Sequence, residues 1–173
     1  LRPDVILMDI GLSEVNGIDA AREIQRVCPT PIIVFTAYDG RDLLEKAAGA
    51  GVSMAWGSFQ SASNPVLRDT HEYIQVYSKG AYDRKKTEGK ENTITKEQFM
   101  EWTKSVWVMN PESAKKVGHP APFPVELPYR MMQLYTYKGE IILDPFMGSG
   151  STAIAALKSE RKYIGYDIDP EYI

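Results

Sequence analysis

A glycine-rich turn follows an apolar run near the end of the sequence. Residues 141–152 are Ile-Ile-Leu-Asp-Pro-Phe-Met-Gly-Ser-Gly-Ser-Thr. The apolar residues are typical of a buried parallel strand, and Gly148 and Gly150 allow a tight backbone turn before a helix of small residues. A second predicted strand, Tyr163–Tyr166, ends at Asp167. This order is typical of a dinucleotide-type cofactor site, in which the acid accepts a hydrogen bond from a ribose hydroxyl.

The turn differs from a phosphate-binding loop, because Asp144 stands at its start and no Gly-Lys-Thr follows. The segments 144–152 and 163–172 together resemble the cofactor motif of the amino-methylating DNA methyltransferases. Those enzymes use S-adenosylmethionine, and their circularly permuted members place this motif after the catalytic and target-recognition regions. The late position of the turn in this chain fits that order. The resemblance implies S-adenosylmethionine as cofactor and DNA as partner.

The segment 118–128 resembles the part of the same family that covers the adenine and methionine ends of the ligand. Phe123 is suited to stacking on adenine; the alternative is a stiff proline-rich loop that packs on a core helix. Pro124 suits the first turn of that helix, on which Leu127 and Met131 fall at helical spacing. The cofactor-binding residues that the resemblance implies are Phe123, Asp144, Pro145, Phe146, Gly148, Ser149, Gly150, Thr152 and Asp167.

Two polar stretches are candidates for contact with DNA. The first, residues 56–69, leads into a predicted strand over 71–79, and a similar segment of the family lies beside the flipped target base. The second, residues 80–95, is rich in lysine and arginine, which attract phosphates without reading base sequence. An ordinary solvated loop is the alternative for both stretches. The candidate DNA-binding residues are Ser61, Asn64, Arg68, Lys85 and Lys86.

A helix is predicted to begin after residue 95, because Thr95 and Gln98 form a capping-box pattern. Phe99, Trp102 and Val106 then follow at helical spacing. We expect this helix to be packed, with Trp102 in the core.

The first fifty residues predict a βαβ unit of a parallel sheet: a strand over 4–10, a helix over 17–27 and a strand over 31–37, followed by a helix over 41–48. This segment resembles the receiver domain of response regulators. In that match Asp9 falls on the phosphoacceptor aspartate, and Thr36 falls on the switch hydroxyl. Asp9 is therefore a candidate phosphoacceptor, and a structural carboxylate at the end of a strand is the alternative.

Both resemblances are incomplete. Receivers bind magnesium through a pair of acids on their first strand, and a lysine after their fifth strand neutralises the phosphoryl charge. Neither feature is present in this chain. Metal ions contribute much of the catalysis of phosphoryl transfer, which favours the structural alternative for Asp9. The methyltransferases carry an Asp/Ser/Asn-Pro-Pro-Tyr/Phe motif, whose polar group accepts hydrogen bonds from the target amine. No Pro-Pro pair occurs in this sequence. No catalytic residue of methyl transfer is therefore identified, and weak or absent activity is expected.

Composition is compatible with one core, since 43% of the 173 residues are hydrophobic. A formal net charge of -3 argues against a strongly basic nucleic-acid binder but not against a local DNA-binding patch. Cys28 has no second cysteine with which to pair, and His71 and His119 lie far apart, so we expect no metal site. The sequence shows no signal peptide or membrane-spanning run, and a cytoplasmic location is expected.

The predicted fold is α/β, with a Rossmann-like, doubly wound and mostly parallel sheet composed of receiver and methyltransferase strands. Residues 1–50 form the partial receiver-like segment, and residues 51–173 form the C-terminal part of a methyltransferase domain. Within the latter we expect a recognition segment over 53–110 and a cofactor segment over 118–173. The predicted function is site-specific methylation of adenine N6 or cytosine N4; the alternative is a phosphorelay receiver or a non-catalytic chimera.

Overall fold

The computed structural model describes residues 2–9, 17–28, 30–36, 73–78, 88–110 and 123–169. Its strands are β1 (Val5–Asp9), β2 (Ile32–Thr36), β3 (Tyr73–Tyr77), β4 (Ile141–Asp144) and β5 (Lys162–Gly165). Its helices are α1 (Gly17–Val27), α2 (Lys96–Trp102), α3 (Glu126–Tyr135) and α4 (Ser151–Lys158). No helix in these ranges is both long enough and apolar enough to span a bilayer.

The described strands form one sheet in the order β3-β2-β1-β4-β5. β1 pairs in parallel with β2 on one side and with β4 on the other, and β4 pairs in parallel with β5. β3 is antiparallel to β2. The mostly parallel, Rossmann-like sheet predicted from the sequence is confirmed, and strands from the first fifty residues and from the later segment share it.

Helices cover both faces of the sheet. Alternate residues of each strand point to opposite faces, so each face has its own set of packed side chains. On one face Val5, Leu7 and Ile142 form a first cluster with residues of α3 and α4, including Met131 and Ala155. On the other face a second cluster of strand residues packs against Ala21 and Ile24 of α1; its buried members are Ile6, Met8, Ile32 and Val34. The central strands are therefore apolar on both faces, as buried parallel strands require.

Asp4 joins β1 to β4 at the amino-terminal edge of the sheet. Its carboxylate Oδ2 accepts a hydrogen bond from the Ile141 N–H at 3.0 Å, and its own N–H donates to the Ile141 carbonyl at 2.8 Å. The ammonium of Lys90 lies 3.7 Å from the other carboxylate oxygen and also pairs with the buried Glu140. β1 is thus bonded to β4 through Asp4, the residue before the strand, as well as along its own length.

Arg161 lies buried at the start of β5, with 3% of its surface exposed. Its guanidinium donates to the carbonyl of Thr136 at 2.7 Å, to the Thr136 hydroxyl at 3.1 Å and to the Thr93 hydroxyl at 2.6 Å. Burial lowers the pKa of the guanidinium from its usual value, and the Glu140 carboxylate opposes that shift. The network ties residues 88–95 to the end of α3.

Aromatic contacts hold α2 and the residues after it on α3. Trp102 is buried and meets Tyr129 edge-on, with ring centroids 6.0 Å apart. The guanidinium of Arg130 lies 5.5 Å from the Trp102 ring and 5.4 Å from the Trp107 ring. Such cation–π contacts add to packing. The predicted core position of Trp102 is confirmed.

The capping box at Thr95 and Gln98 is also present, but the helix that it starts ends at Trp102. Of the three residues at helical spacing only Trp102 is buried, since Phe99 and Val106 are 50% and 75% exposed. The apolar spacing continued beyond the helix, so Val106 lies outside it. The helix predicted over 41–48 lies outside the described residues.

Candidate functional site

The chain changes direction in the sheet between β1 and β4. From β1 it proceeds through α1 to β2 on one side, and from β4 through α4 to β5 on the other. α1 and α4 lie on opposite faces, so the direction of the strand order reverses at the carboxyl ends of β1 and β4. In open α/β sheets such a switch point is where ligands bind. β1 ends at Asp9 and β4 ends at Asp144.

The two strand ends lie at a similar height. Ile6 of β1 is opposite Leu143 of β4. Extending this register to the end of β1 brings Asp9 level with Phe146, just beyond β4. Phe146 packs against the second cluster, which contains Met8, and this contact agrees with the extended register. The candidate phosphoacceptor of the receiver-like segment therefore ends its strand beside the cofactor motif.

Residues 145–150, the glycine loop, connect β4 to α4. The buried Asp144 accepts a hydrogen bond from the Phe146 N–H at 2.9 Å through its carboxylate, which forms a tight turn. Gly148 and Gly150 have φ angles of +49° and +83°, a region that glycine occupies without strain. The Gly150 N–H donates to the Met147 carbonyl at 3.0 Å, and α4 begins at the next residue.

Asp167 fixes the loop from the end of β5. Its Oδ2 accepts a hydrogen bond from the Gly148 N–H at 2.7 Å, and its Oδ1 accepts one from the Asp169 N–H at 3.0 Å. The backbone of the same segment adds a bond from the Met147 N–H to the Tyr166 carbonyl at 2.8 Å. The acid predicted to hold a ribose is thus hydrogen-bonded to the glycine turn. It lies about twenty residues after the turn in sequence, as the dinucleotide-binding pattern describes.

The other predicted cofactor residues surround this loop. Phe123 is half-buried and packs against the first cluster, and its carbonyl accepts a hydrogen bond from the Ser151 hydroxyl at 2.9 Å. Thr152 is buried, and its hydroxyl oxygen has no hydrogen-bond partner in the described part of the chain. Pro145 and Ser149 are half-buried in the loop. All nine residues therefore belong to the loop, the end of β4, the first turn of α4, the segment of Asp167 bonded to the loop and the segment of Phe123 bonded to α4.

The DNA-binding candidates Ser61, Asn64, Arg68, Lys85 and Lys86 lie outside the described residues. Their contact with DNA stays a prediction. Sequence reasoning also assigned no role to Ser151 or Gly165, since their partners are distant in sequence. No group of three or more metal-ligating side chains occurs in the described ranges.

Gly165, the last residue of β5, leaves room for Met147. A Cβ atom on Gly165 would lie 2.1 Å from the Met147 sulfur and 2.8 Å from its methyl carbon, so Met147 would have to move. We expect Gly165→Ala to lower the free energy of unfolding by about 1–3 kcal/mol, the usual cost of overpacking. Thermal unfolding measures this loss, and Met147→Ala in the same chain should recover part of it. Additive losses in the double variant would contradict the expected clash.

The fold and site together define an α/β protein of the Rossmann-like methyltransferase type. The model of the N6/N4 methylase family, described as DNA methylase, matches residues 5–173. The chain belongs to this family. The match begins in β1, so it includes strands from the receiver-like segment as well as the cofactor motif.

Curated relatives include type II methyltransferases. The chain is 43% identical over 83 residues to M.BglI of Bacillus subtilis. The aligned stretch covers 47% of this chain and 24% of that protein. It is 32% identical over 127 residues to M.MthZI of Methanothermobacter thermautotrophicus, covering 67% of this chain and 36% of that protein. The chain thus spans about a quarter to a third of the length of these relatives.

A different relative is a protein-glutamate methylesterase/protein-glutamine glutaminase of Alkalilimnicola ehrlichii. It is 51% identical over 55 residues, 31% of this chain and 14% of that protein.

Among solved structures, a protein of Thermus thermophilus described as a DNA modification methylase superposes with a TM-score of 0.68 at 20% identity. The superposition covers 99% of this chain and 83% of that one. The same protein complexed with S-adenosyl-L-methionine gives a TM-score of 0.65. This likeness shows the fold.

Proposed function

We propose that the chain binds S-adenosylmethionine and belongs to an enzyme that methylates an exocyclic amine of adenine or cytosine in DNA. The observation that carries this proposal is the switch point, where the glycine loop follows β4 and Asp9 ends the neighbouring β1. Family membership supports it, as do the relatives named as type II methyltransferases. A cytoplasmic location stays a prediction.

The residues around the loop fit the cofactor. Each oxygen of the Asp167 carboxylate accepts one N–H and keeps a lone pair that can accept from a ribose hydroxyl. The buried Thr152 hydroxyl, which lacks a partner in the described ranges, can bond to a polar group of the ligand. Phe123, whose backbone carbonyl bonds to the first residue of α4, offers a half-buried aromatic ring for the adenine. When bound, S-adenosylmethionine supplies an electrophilic methyl group.

Asp9 is the residue that we propose for the target amine. An exocyclic amine is a weak nucleophile. A carboxylate that accepts a hydrogen bond from the amine N–H increases the electron density on the amine nitrogen and can later hold the released proton. The family motif described above continues from its polar residue into Pro-Pro-Tyr or Pro-Pro-Phe, whereas Ile10, Gly11 and Leu12 follow Asp9 in this sequence. With Asp9 in the place of that polar residue, Leu12 stands where the motif has the aromatic ring that stacks on the flipped base, and we expect weak or absent turnover.

Calorimetric titration with S-adenosylmethionine tests the cofactor site. We expect saturable binding by the parent chain and at least about tenfold weaker binding by Asp167→Ala, because a bond to a charged acceptor contributes about 1.5–3 kcal/mol. Glu101→Gln is the control, since that exposed carboxylate pairs with Lys104 and belongs to α2, which contributes no predicted cofactor residue. No heat from the folded parent would refute the proposal.

A second proposal concerns the origin of residues 1–50. We infer that they derive from a receiver domain, and the strand–helix–strand order of β1, α1 and β2 with Asp9 at the end of β1 supports this. Recombination, deliberate joining of two genes or a sequence-assembly error would each produce such a join. If Asp9 is still a phosphoacceptor, incubation with acetyl phosphate and magnesium should add the mass of a phosphoryl group, and Asp9→Ala should abolish the gain. An unmodified parent would contradict phosphoacceptor activity.

A further inference from the structure

We propose that Ser151 is a positioning residue, which holds Phe123 beside the cofactor through a hydrogen bond to the Phe123 carbonyl. The inference rests on the proposed function, because it concerns how the S-adenosylmethionine site is held together. Phe123 and the glycine loop lie far apart in the sequence, so their relative position depends on tertiary contacts. The Ser151 hydroxyl is one such contact, at 2.9 Å.

The geometry of α4 favours this role over helix capping. A serine near the start of a helix usually accepts a hydrogen bond from the helix backbone. Here the N-cap is Gly150, which has a left-handed conformation and no side chain, and the Ser151 hydroxyl donates outward to Phe123 instead. Ser151 is 5% exposed, so water competes little for this bond.

The bond at Phe123 and the bond just after it orient this segment relative to different parts of the protein. α3 begins at Glu126 after Val125, which makes no side-chain cap, and the Leu127 N–H donates to the Pro124 carbonyl at 3.0 Å. These features orient the segment relative to α3. The bond from Ser151 instead orients it relative to α4 and the glycine loop, which together carry most of the other predicted cofactor residues.

Ser159 provides a matched control at the opposite end of α4. Its buried hydroxyl also reaches α3, where it lies 3.6 Å from the Met132 sulfur, and it donates to the Ala156 carbonyl at 3.1 Å. Ser151→Ala and Ser159→Ala therefore each remove a buried serine hydroxyl that links α4 to α3 or to the residues just before it. Only the first is next to the cofactor loop.

The test is a double-mutant cycle measured by calorimetric titration with S-adenosylmethionine. We expect Ser151→Ala to raise Kd about fivefold, the effect of one net hydrogen bond. In a Phe123→Ala background the same change should raise Kd by less than about twofold, because the hydrogen bond to the backbone carbonyl then no longer positions an aromatic ring. Ser151→Thr keeps the hydroxyl and should bind like the parent, and Ser159→Ala should lower the melting temperature without changing Kd.

An equal loss of affinity in both backgrounds would overturn the inference, and so would a comparable loss in Ser159→Ala. Either result would mean that a general loosening of α3 against α4 weakens binding. If the folded parent binds no S-adenosylmethionine, the proposed function fails and this inference fails with it. Saturable parental binding without coupling between Ser151 and Phe123 overturns the inference alone.

Discussion

Replacing Ile10, Gly11 and Leu12 by Pro, Pro and Tyr is expected to raise methyl transfer to DNA by about tenfold to a hundredfold. The reason is that β1 already ends at Asp9 beside the cofactor loop, while the aromatic partner of the base is missing. Stacking of one base on an aromatic ring contributes about 1–3 kcal/mol, which corresponds to about 5- to 150-fold in rate if the stack forms in the transition state and so includes the expected gain. Transfer of tritium from labelled S-adenosylmethionine to unmethylated genomic DNA measures the gain.

Asp9→Ala in the triple variant is the decisive control. If Asp9 accepts the hydrogen bond of the target amine, this change should abolish the gain while binding of S-adenosylmethionine stays the same. Glu23→Gln, which alters an exposed carboxylate of α1 that pairs with Arg26, should keep the gain. A folded triple variant that binds the cofactor but shows no increase would contradict the place assigned to β1.

Arg161→Met is expected to lower the free energy of unfolding by about 3 kcal/mol or more, because it leaves several buried oxygen atoms without a charged donor, at about 1–3 kcal/mol each. The change leaves the Thr136 carbonyl and the Thr93 hydroxyl without the guanidinium that bonds to them. For a chain of this length we expect the melting temperature to fall by about 6–12 °C. Thermal unfolding followed by circular dichroism measures this shift.

Lys162→Met is the matched control, because Lys162 is the next residue in the chain and is exposed on β5. It should change the melting temperature by no more than about 1–2 °C, as is usual for surface substitutions. Similar shifts in the two variants would show that the network around Arg161 contributes little to stability.

The strand, turn and acid of the candidate cofactor segment could be predicted from sequence because their determinants are local. Apolar residues of β4, the glycines of the loop and the acid after β5 follow one another within one βαβ unit, and each has its expected conformation. The Thr95 cap is local for the same reason. The end of α2 could not be predicted in the same way, because the apolar spacing continued to Val106 although the helix stops at Trp102.

Long-range partners could not be predicted from sequence. Nothing in the residues around Asp4 shows that it pairs with Ile141, and nothing around Ser151 shows that it bonds to Phe123. These contacts depend on the order of strands and on the helix packing that follows from it. The sequence did suggest that strands of the first fifty residues could join the methyltransferase sheet, and the position of β1 between β2 and β4 confirms this joint sheet.

The double-sided burial of β1 has an evolutionary consequence. A central parallel strand needs apolar side chains on both faces and a regular backbone, and many protein families meet this requirement with similar sequences. Such a strand can be exchanged between families with little disturbance of its neighbours, provided that its length and register are kept. The chemistry of the site is then determined by the few residues just past the carboxyl end of the strand. An exchanged strand can therefore keep the architecture of an enzyme while changing what the enzyme is able to do.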